Sequence, residues 1–122
     1  MANIDEDPTP SGTLALQTIA MPKDTNPHGD IFGGWLLSQM DLAGAIAARD
    51  VANGRVTTVA VGSMVFLRPV PVGSIVSCYC EILETGRSSI QTRVEVWVKM
   101  FDADGLQKVT EGDFVYVAAR GR

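Results

Sequence analysis

The sequence contains a single histidine, His28, and only two cysteines, Cys78 and Cys80. One histidine excludes every site that needs two imidazoles. The cysteine spacing matches neither a Cys-x-x-Cys redox pair nor a zinc site. In a strand the two thiols would point to one face but lie too far apart along the chain to bond comfortably. We therefore expect buried free thiols in a reducing compartment.

Positive charge and long apolar runs are also scarce. The chain has 10 Lys and Arg against 14 Asp and Glu, a formal net charge of −4, which is unlike a nucleic-acid-binding domain. No uninterrupted apolar run reaches the roughly 18 residues of a membrane span. The first 12 residues are polar and acidic, unlike a signal peptide. The sequence therefore predicts a cytoplasmic protein that binds neither nucleic acid nor membrane.

The length of 122 residues is typical of one domain. We expect a flexible arm at 1–12 and a single domain at 13–122. Apolar periodicity and β-forming residues predict a strand, then a long helix, then four strands. The expected ranges are 13–21 for the first strand, 32–52 for the helix, and 56–67, 74–84, 88–101 and 107–119 for the others. Short links favour antiparallel neighbours, and the Asp-Gly pair at 104–105 favours a hairpin.

Nearly every side of the predicted helix is apolar or small, which is typical of a buried helix. A sheet that curls around such a helix gives an α+β fold. The sheet would still have an open face and open edges, which favours dimerisation or higher assembly.

Gly33 and Gly34 stand at the start of this helix. The first N–H groups of a helix lack internal partners and carry the positive end of the helix dipole. Glycine lets a ligand carbonyl come close to that backbone. The pair is a candidate oxyanion hole, and the alternative is that it only lets the helix pack closely on the sheet.

Asp41 lies in the middle of the same apolar helix. A buried carboxylate needs a partner, so Asp41 is either a structural hydrogen-bonding group or a functional group at a cleft or interface. Eight residues separate it from Gly33, about 12 Å of helix. One chain therefore cannot bring both to one carbonyl, whereas two antiparallel helices across a two-fold axis can. Such a site would suit acyl transfer to water.

The segment NPHGDIFGGWLLSQMD at 26–41, with the following LAGAIAA, resembles the YciA-type acyl-CoA thioesterases of the hotdog superfamily. The resemblance continues in the same order through TVAVGSMVFLRPVPVGSIVSCY, TGRSSI, VEVWVK and TEGDFVYVA, and covers about residues 13–118. It implies a hotdog fold, with a five-stranded antiparallel sheet around one long helix. It also implies a homo-oligomer, a hexameric trimer of dimers with active sites at the dimer interface. The reaction implied needs no metal and no cofactor, since CoA belongs to substrate and product.

The resemblance also assigns roles to residues. The aspartate matching Asp41 acts as general base or nucleophile, and the sequence does not separate these two routes. The glycine matching Gly33 donates its amide to the thioester oxygen, and Asn26 matches an asparagine that positions water or substrate. Arginine suits CoA phosphates, although exposed arginines and strand-start serines are also common. The expected substrate-binding residues are Gly34, Arg68, Gly86, Arg87, Ser88 and Ser89.

Two other activities remain open. A hotdog hydratase or dehydratase would pair a catalytic histidine with an acid, but His28 lies in the loop before the helix and is expected at the rim of the site. A non-catalytic sensor would bind acyl-CoA without releasing thiol. His28, Gly62 and Val65 depart from the residues expected in close relatives, so the preferred acyl chain length and any feedback by nucleotides stay undetermined.

Overall fold

The computed structural model describes residues 9–100 and 105–119. In that part of the chain one long helix packs against a five-stranded antiparallel sheet, which confirms the predicted α+β architecture. A short 3₁₀ turn, Pro22–Asp24, precedes the helix. In chain order the elements are β1 (Thr13–Ile19), α1 (Gly33–Ala52), β2 (Val56–Val61), β3 (Ile75–Thr85), β4 (Ser89–Lys99) and β5 (Gln107–Ala118).

The strands are ordered β1-β3-β4-β5-β2 across the sheet. Strands β3, β4 and β5 pair with their sequence neighbours, as their short links predict. Strand β2 instead pairs with β5 and forms one edge, while β1 forms the other. The predicted Asp-Gly hairpin at 104–105 falls partly outside the described residues, as does most of the predicted arm at 1–12.

Strand β2 ends at Val61, six residues before the predicted end. Gly62 still donates its N–H to the Asp113 carbonyl, but a Cβ at Gly62 would lie only 3.3 Å from that oxygen. The chain then leaves the regular ladder, and Leu67 rejoins β5 through an N–H bond to the Val109 carbonyl at 2.7 Å. This irregular segment carries Arg68 to the beginning of β5.

Helix α1 buries one side against the sheet rather than all of its surface, contrary to the prediction. The side chains that face the sheet include Leu36, Met40, Ala43 and Ala48. On the other side Leu42 is 53% exposed and Ile46 is 41% exposed. Because the sheet covers only the opposite side of the helix, Leu42 and Ile46 form an apolar strip at the surface of a single chain.

The sheet also holds a buried ionic cluster. The Lys108 ammonium lies 3.4 Å from a Glu95 carboxylate oxygen and 2.7 Å from Glu111, and its side chain is only 1% exposed. Trp97 donates its indole N–H to Glu95 at 2.9 Å. Each charged group in this cluster therefore has a partner of opposite charge, as burial of charge requires.

Candidate active site

The loop before α1 is organised by Asn26. Its side-chain oxygen accepts the backbone N–H groups of His28 at 2.9 Å and of Asp30 at 3.1 Å. This is a local turn held by an asparagine side chain. Because the oxygen is committed to the turn, the amide NH₂ is the end of Asn26 that is left to meet a ligand.

The first two residues of α1 present backbone donors. The N–H groups of Trp35 and Leu36 donate to the Phe32 carbonyl at 3.1 and 3.2 Å. The preceding N–H groups, on Gly33 and Gly34, make no hydrogen bond to the described residues, and both glycines are exposed. The positive end of the helix therefore offers two free donors to an oxygen with developing negative charge.

A cavity of about 400 Å³ lies at this end of the helix. Ile31 closes one wall by donating its N–H to the Val70 carbonyl at 3.0 Å. The lining brings together three residues predicted for the site, Asn26, Gly33 and Arg68, with the aromatic ring of Phe66. An amide, a backbone donor and a guanidinium thus share one pocket with an apolar surface.

Asp41 lies further along α1 and does not line this cavity. One carboxylate oxygen, Oδ1, accepts the hydroxyl of Thr58 at 2.7 Å and the hydroxyl of Tyr116 at 3.0 Å. The Tyr116 hydroxyl is also 2.8 Å from the Asp41 backbone carbonyl. The carboxylate is therefore paired, as its place in an apolar helix requires. Its other oxygen, Oδ2, accepts no hydrogen bond from the described residues.

Tyr116 reaches Asp41 because Gly44 has no side chain. A Cβ at Gly44 would collide with the Tyr116 hydroxyl. Burial raises the pKa of Tyr116 well above its usual value, and the neighbouring Asp41 carboxylate raises it further. The phenol therefore remains a neutral donor well above neutral pH.

The remaining predicted site residues lie at the other end of the sheet. Gly86, Arg87 and Ser88 form the turn between β3 and β4, and Ser89 begins β4. The Gly86 N–H donates to the Ser89 carbonyl at 2.7 Å. The Ser88 carbonyl accepts the N–H of Ala118, at the end of β5. Arg68 lies near Val109, so about 30 Å of strand separates the two groups. One chain does not bring them together.

Three neighbours of the site were not predicted from the sequence: Thr58, Tyr116 and Phe66. Two requirements point to the first pair. A tyrosine that alternates with apolar residues in a strand needs a partner for its hydroxyl. A carboxylate in an apolar helix needs a donor. His28, expected at the rim, is exposed in the loop.

Known proteins were compared with this sequence and fold. Residues 28–100 match the profile of the Thioesterase superfamily. The acyl-CoA thioester hydrolase YciA of Salmonella typhimurium is 54% identical over 115 residues, which are 92% of this chain and 86% of that protein. The resemblance seen in the sequence is thereby confirmed.

Solved structures are similar in fold. A hexameric thioesterase from Yersinia pestis is 53% identical with a TM-score of 0.88, covering 93% of this chain and 92% of that one. A hexameric hotdog fold thioesterase of Campylobacter jejuni is 46% identical with a TM-score of 0.84, covering 88% and 84%. The predicted hotdog fold is confirmed. Among the residues that the structure describes, no helix is both long and apolar enough to cross a membrane.

Proposed function

We propose that this chain, which belongs to the thioesterase superfamily, hydrolyses acyl-CoA thioesters to a carboxylate and free CoA. The observation that carries the proposal is the Asp41 carboxylate in the middle of α1, held by one oxygen while the other oxygen has no donor among the described residues. A group placed in this way can accept a proton or attack a carbon. The name of the Salmonella relative supports acyl-CoA as the substrate.

The proposed chemistry uses a backbone donor and a carboxylate. The thioester carbonyl oxygen lies against the N–H of Gly33, which stabilises the oxyanion as it forms. As a general base, Asp41 takes a proton from water while the water oxygen bonds to the carbonyl carbon. Collapse of the oxyanion breaks the C–S bond, and the leaving thiolate takes up the proton. Asn26 orients the water or the substrate.

A nucleophilic route is equally compatible with the position of Asp41. In that route Oδ2 bonds to the carbonyl carbon and the C–S bond breaks, which leaves a mixed anhydride and a thiolate that takes a proton from solvent. Water then cleaves the anhydride and regenerates the carboxylate. Both routes balance without a metal or a further cofactor, so the proposal includes neither.

The proposal requires two copies of the chain. Gly33 and Asp41 lie on one helix, too far apart to share a carbonyl. The exposed apolar strip on α1 and the open edge at β2, where Val59 is 56% exposed, are surfaces that a second copy would cover. In the proposed dimer Gly33 of one protomer meets Asp41 of its partner. The Yersinia and Campylobacter neighbours are hexamers, which supports a trimer of such dimers.

Assembly would also bring together the residues that bind the CoA portion of the substrate. Arg68 shares a cavity with Gly33, whereas Arg87 and the turn between β3 and β4 lie at the far end of the sheet. We expect the arginines to bind CoA phosphates, with Gly34 and the turn contacting the pantetheine or nucleotide. Such a substrate, together with the unpaired thiols of Cys78 and Cys80, supports a cytoplasmic location.

The test is thiol release from a panel of acyl-CoAs from acetyl to palmitoyl, with Asp41→Asn as the matched variant. Turnover by the native chain that disappears in the variant supports the proposal and ranks the acyl chains. Binding of acyl-CoA without thiol release would favour a sensor. Hydration of crotonyl-CoA without thiol release would favour a hydratase. Either result would overturn the proposal.

A further inference from the structure

We infer that Phe66 is a substrate-binding residue whose ring packs on the pantetheine arm of the substrate, beside the sulfur of the thioester. The inference rests on the proposed function. It adds to that function an apolar contact that none of the residues predicted for the site provides.

The ring of Phe66 lies against the start of α1. A Cβ built at Gly33 would be 3.6 Å from the tip of the ring, and both residues line the cavity of about 400 Å³ at this end of the helix. The residue is 44% exposed in a single chain, so much of the ring is open to a ligand. A thioester whose oxygen meets the Gly33 N–H would therefore place its sulfur or its first acyl carbon next to this ring.

Strand β5 holds the ring in this position through two hydrogen bonds that flank Phe66. The Val65 carbonyl accepts the hydroxyl of Thr110 at 2.7 Å, and the Leu67 N–H donates to the Val109 carbonyl at 2.7 Å. Thr110 is fully buried, so water does not compete for its hydroxyl. Irregular segments at a protein surface are usually mobile, whereas this backbone is anchored on both sides of the ring.

The cavity continues from the ring toward the CoA end of the substrate. Arg68, which we expect to bind a CoA phosphate, lines the cavity together with Phe66, and only Leu67 separates them in the chain. The pantetheine arm is the part of an acyl-CoA that joins the sulfur to the phosphates, and it contains amides and methylene groups. An aromatic ring suits the methylene groups, because burial of apolar surface stabilises the complex. The ring should therefore contact all acyl-CoAs alike, whatever their acyl chain.

Thiol release by Phe66→Ala tests this contact. Because the ring would contact the arm equally in the ground state and the transition state, we expect KM to rise by about 10-fold with kcat little changed. The increase should be the same for acetyl-CoA and for longer acyl-CoAs. It should persist with acyl-pantetheine, which has the arm but lacks the CoA phosphates. Arg68→Met is the matched control, since it should raise KM for acyl-CoA and leave KM for acyl-pantetheine unchanged.

Two further variants separate the ring from its surroundings. Thr110→Val removes the hydroxyl that holds Val65, and it should raise KM for both kinds of substrate by a smaller factor than Phe66→Ala. Val65→Ala removes an exposed apolar side chain next to Phe66 that does not line the cavity, and it should leave KM unchanged. Light scattering checks that each variant keeps the assembly of the native chain.

The outcomes distinguish this inference from the proposed function. Absence of thiol release by the native chain on every acyl-CoA would overturn the proposed function. With an active native chain, an unchanged KM in Phe66→Ala would overturn the inference alone, and so would a KM increase that grows with the length of the acyl chain. Loss of the native assembly in Phe66→Ala would assign the ring to a subunit contact and also overturn the inference. If Phe66→Ala does not fold, Phe66→Leu carries the same comparison, with a smaller expected increase in KM.

Discussion

Thr58 and Tyr116 stand opposite one another across β2 and β5, and both hydroxyls meet one oxygen of Asp41. Their sequence separations from Asp41 are 17 and 75 residues. The carboxylate is therefore held by the two strands that form one side of the sheet, not by its own helix. A substitution at Asp41 should consequently affect this side of the sheet, and a substitution at Thr58 or Tyr116 should affect the position of the Asp41 carboxylate.

Asp41→Asn and Asp41→Ala should both abolish most activity but differ in stability. Asparagine keeps an oxygen that accepts the Thr58 and Tyr116 hydroxyls, whereas alanine leaves both without it, and a buried unsatisfied group costs about 1–3 kcal/mol. We expect kcat to fall by about 10²–10⁴-fold in both variants. Thermal unfolding should show Asp41→Ala as clearly the less stable. Equal stability would mean that the two hydroxyls contribute nothing to holding the helix.

Gly33→Pro should remove the proposed oxyanion donor without breaking the helix. Gly33 is the first residue of α1, where proline is well tolerated. Phe32, with φ −58° and ψ 135°, has the conformation that a residue before proline prefers. A side chain at Gly33 would meet the Phe66 ring at an ordinary 3.6 Å. We expect kcat to fall by about 10²–10³-fold, measured by thiol release.

Two controls accompany this substitution. Gly33→Ala adds the Cβ but keeps the N–H, and it should retain far more activity than proline. A side chain at Gly34 would face open space, so Gly34→Ala should leave thermal stability unchanged. If the alanine and proline variants at Gly33 lose equal activity, steric blocking and not the N–H accounts for the loss, and Gly33 would not be the oxyanion donor.

The protein should lose stability at alkaline pH. Burial raises the pKa of Cys78 and of Cys80 from 9.0 to about 12. Between these values the folded state binds more protons than the unfolded state, so the stabilisation is complete below about pH 9 and is lost as pH rises toward 12. Tyr116, whose pKa is also raised, adds to the loss above about pH 10.

Urea unfolding at a series of pH values measures this effect. A double variant, Cys78→Ala with Cys80→Ala, is the control, because it lacks both thiols and should show a flatter decline between pH 9 and 10. The same burial predicts slow reaction of both thiols with a disulfide dye in the folded protein. An identical pH slope in the double variant would show that the thiols do not control alkaline stability.

Removal of Lys108 should be costly. Its ammonium compensates Glu95 and Glu111 at a site where its own side chain is 1% exposed. Lys108→Met leaves buried negative charge uncompensated, which we expect to lower the free energy of unfolding by about 3–5 kcal/mol. Lys23→Met breaks an ion pair to Asp24 whose lysine is 78% exposed, and should cost less than about 1 kcal/mol. Urea unfolding measures the free energy of unfolding of both variants. Equal losses in the two variants would contradict the prediction.

The element types were predictable from the sequence because periodicity reports on local structure. The helix from Gly33 to Ala52 and all five strands begin within a residue or so of their predicted starts, although β2 ends six residues early. Strand order was harder, since the pairing of β2 with β5 depends on long-range contacts. The early end of β2 depends on how closely Gly62 approaches Asp113, a tertiary contact that no local pattern reveals.

The residues of the candidate site likewise include some that could be predicted from the sequence and some that could not. Gly33 and Asp41 could be selected from the sequence because a glycine pair at a helix start and a carboxylate among apolar residues in mid-helix are conspicuous, and Asn26 was selected through the resemblance. The need for a partner to Asp41 was visible in the sequence, but it did not single out Thr58 and Tyr116, because threonine and tyrosine are ordinary strand residues until their register is known. Their register follows from the pairing of β2 with β5, which are the first and last strands after the helix.

The placement of Gly33 and Asp41 on one helix has a genetic consequence. In the proposed dimer each site takes its donor from one copy and its carboxylate from the other. A mixed dimer of a Gly33→Pro chain and an Asp41→Asn chain then contains one site with both defects and one site with neither. Two inactive proteins, unfolded and refolded together in equal amounts, should regain about a quarter of the native activity.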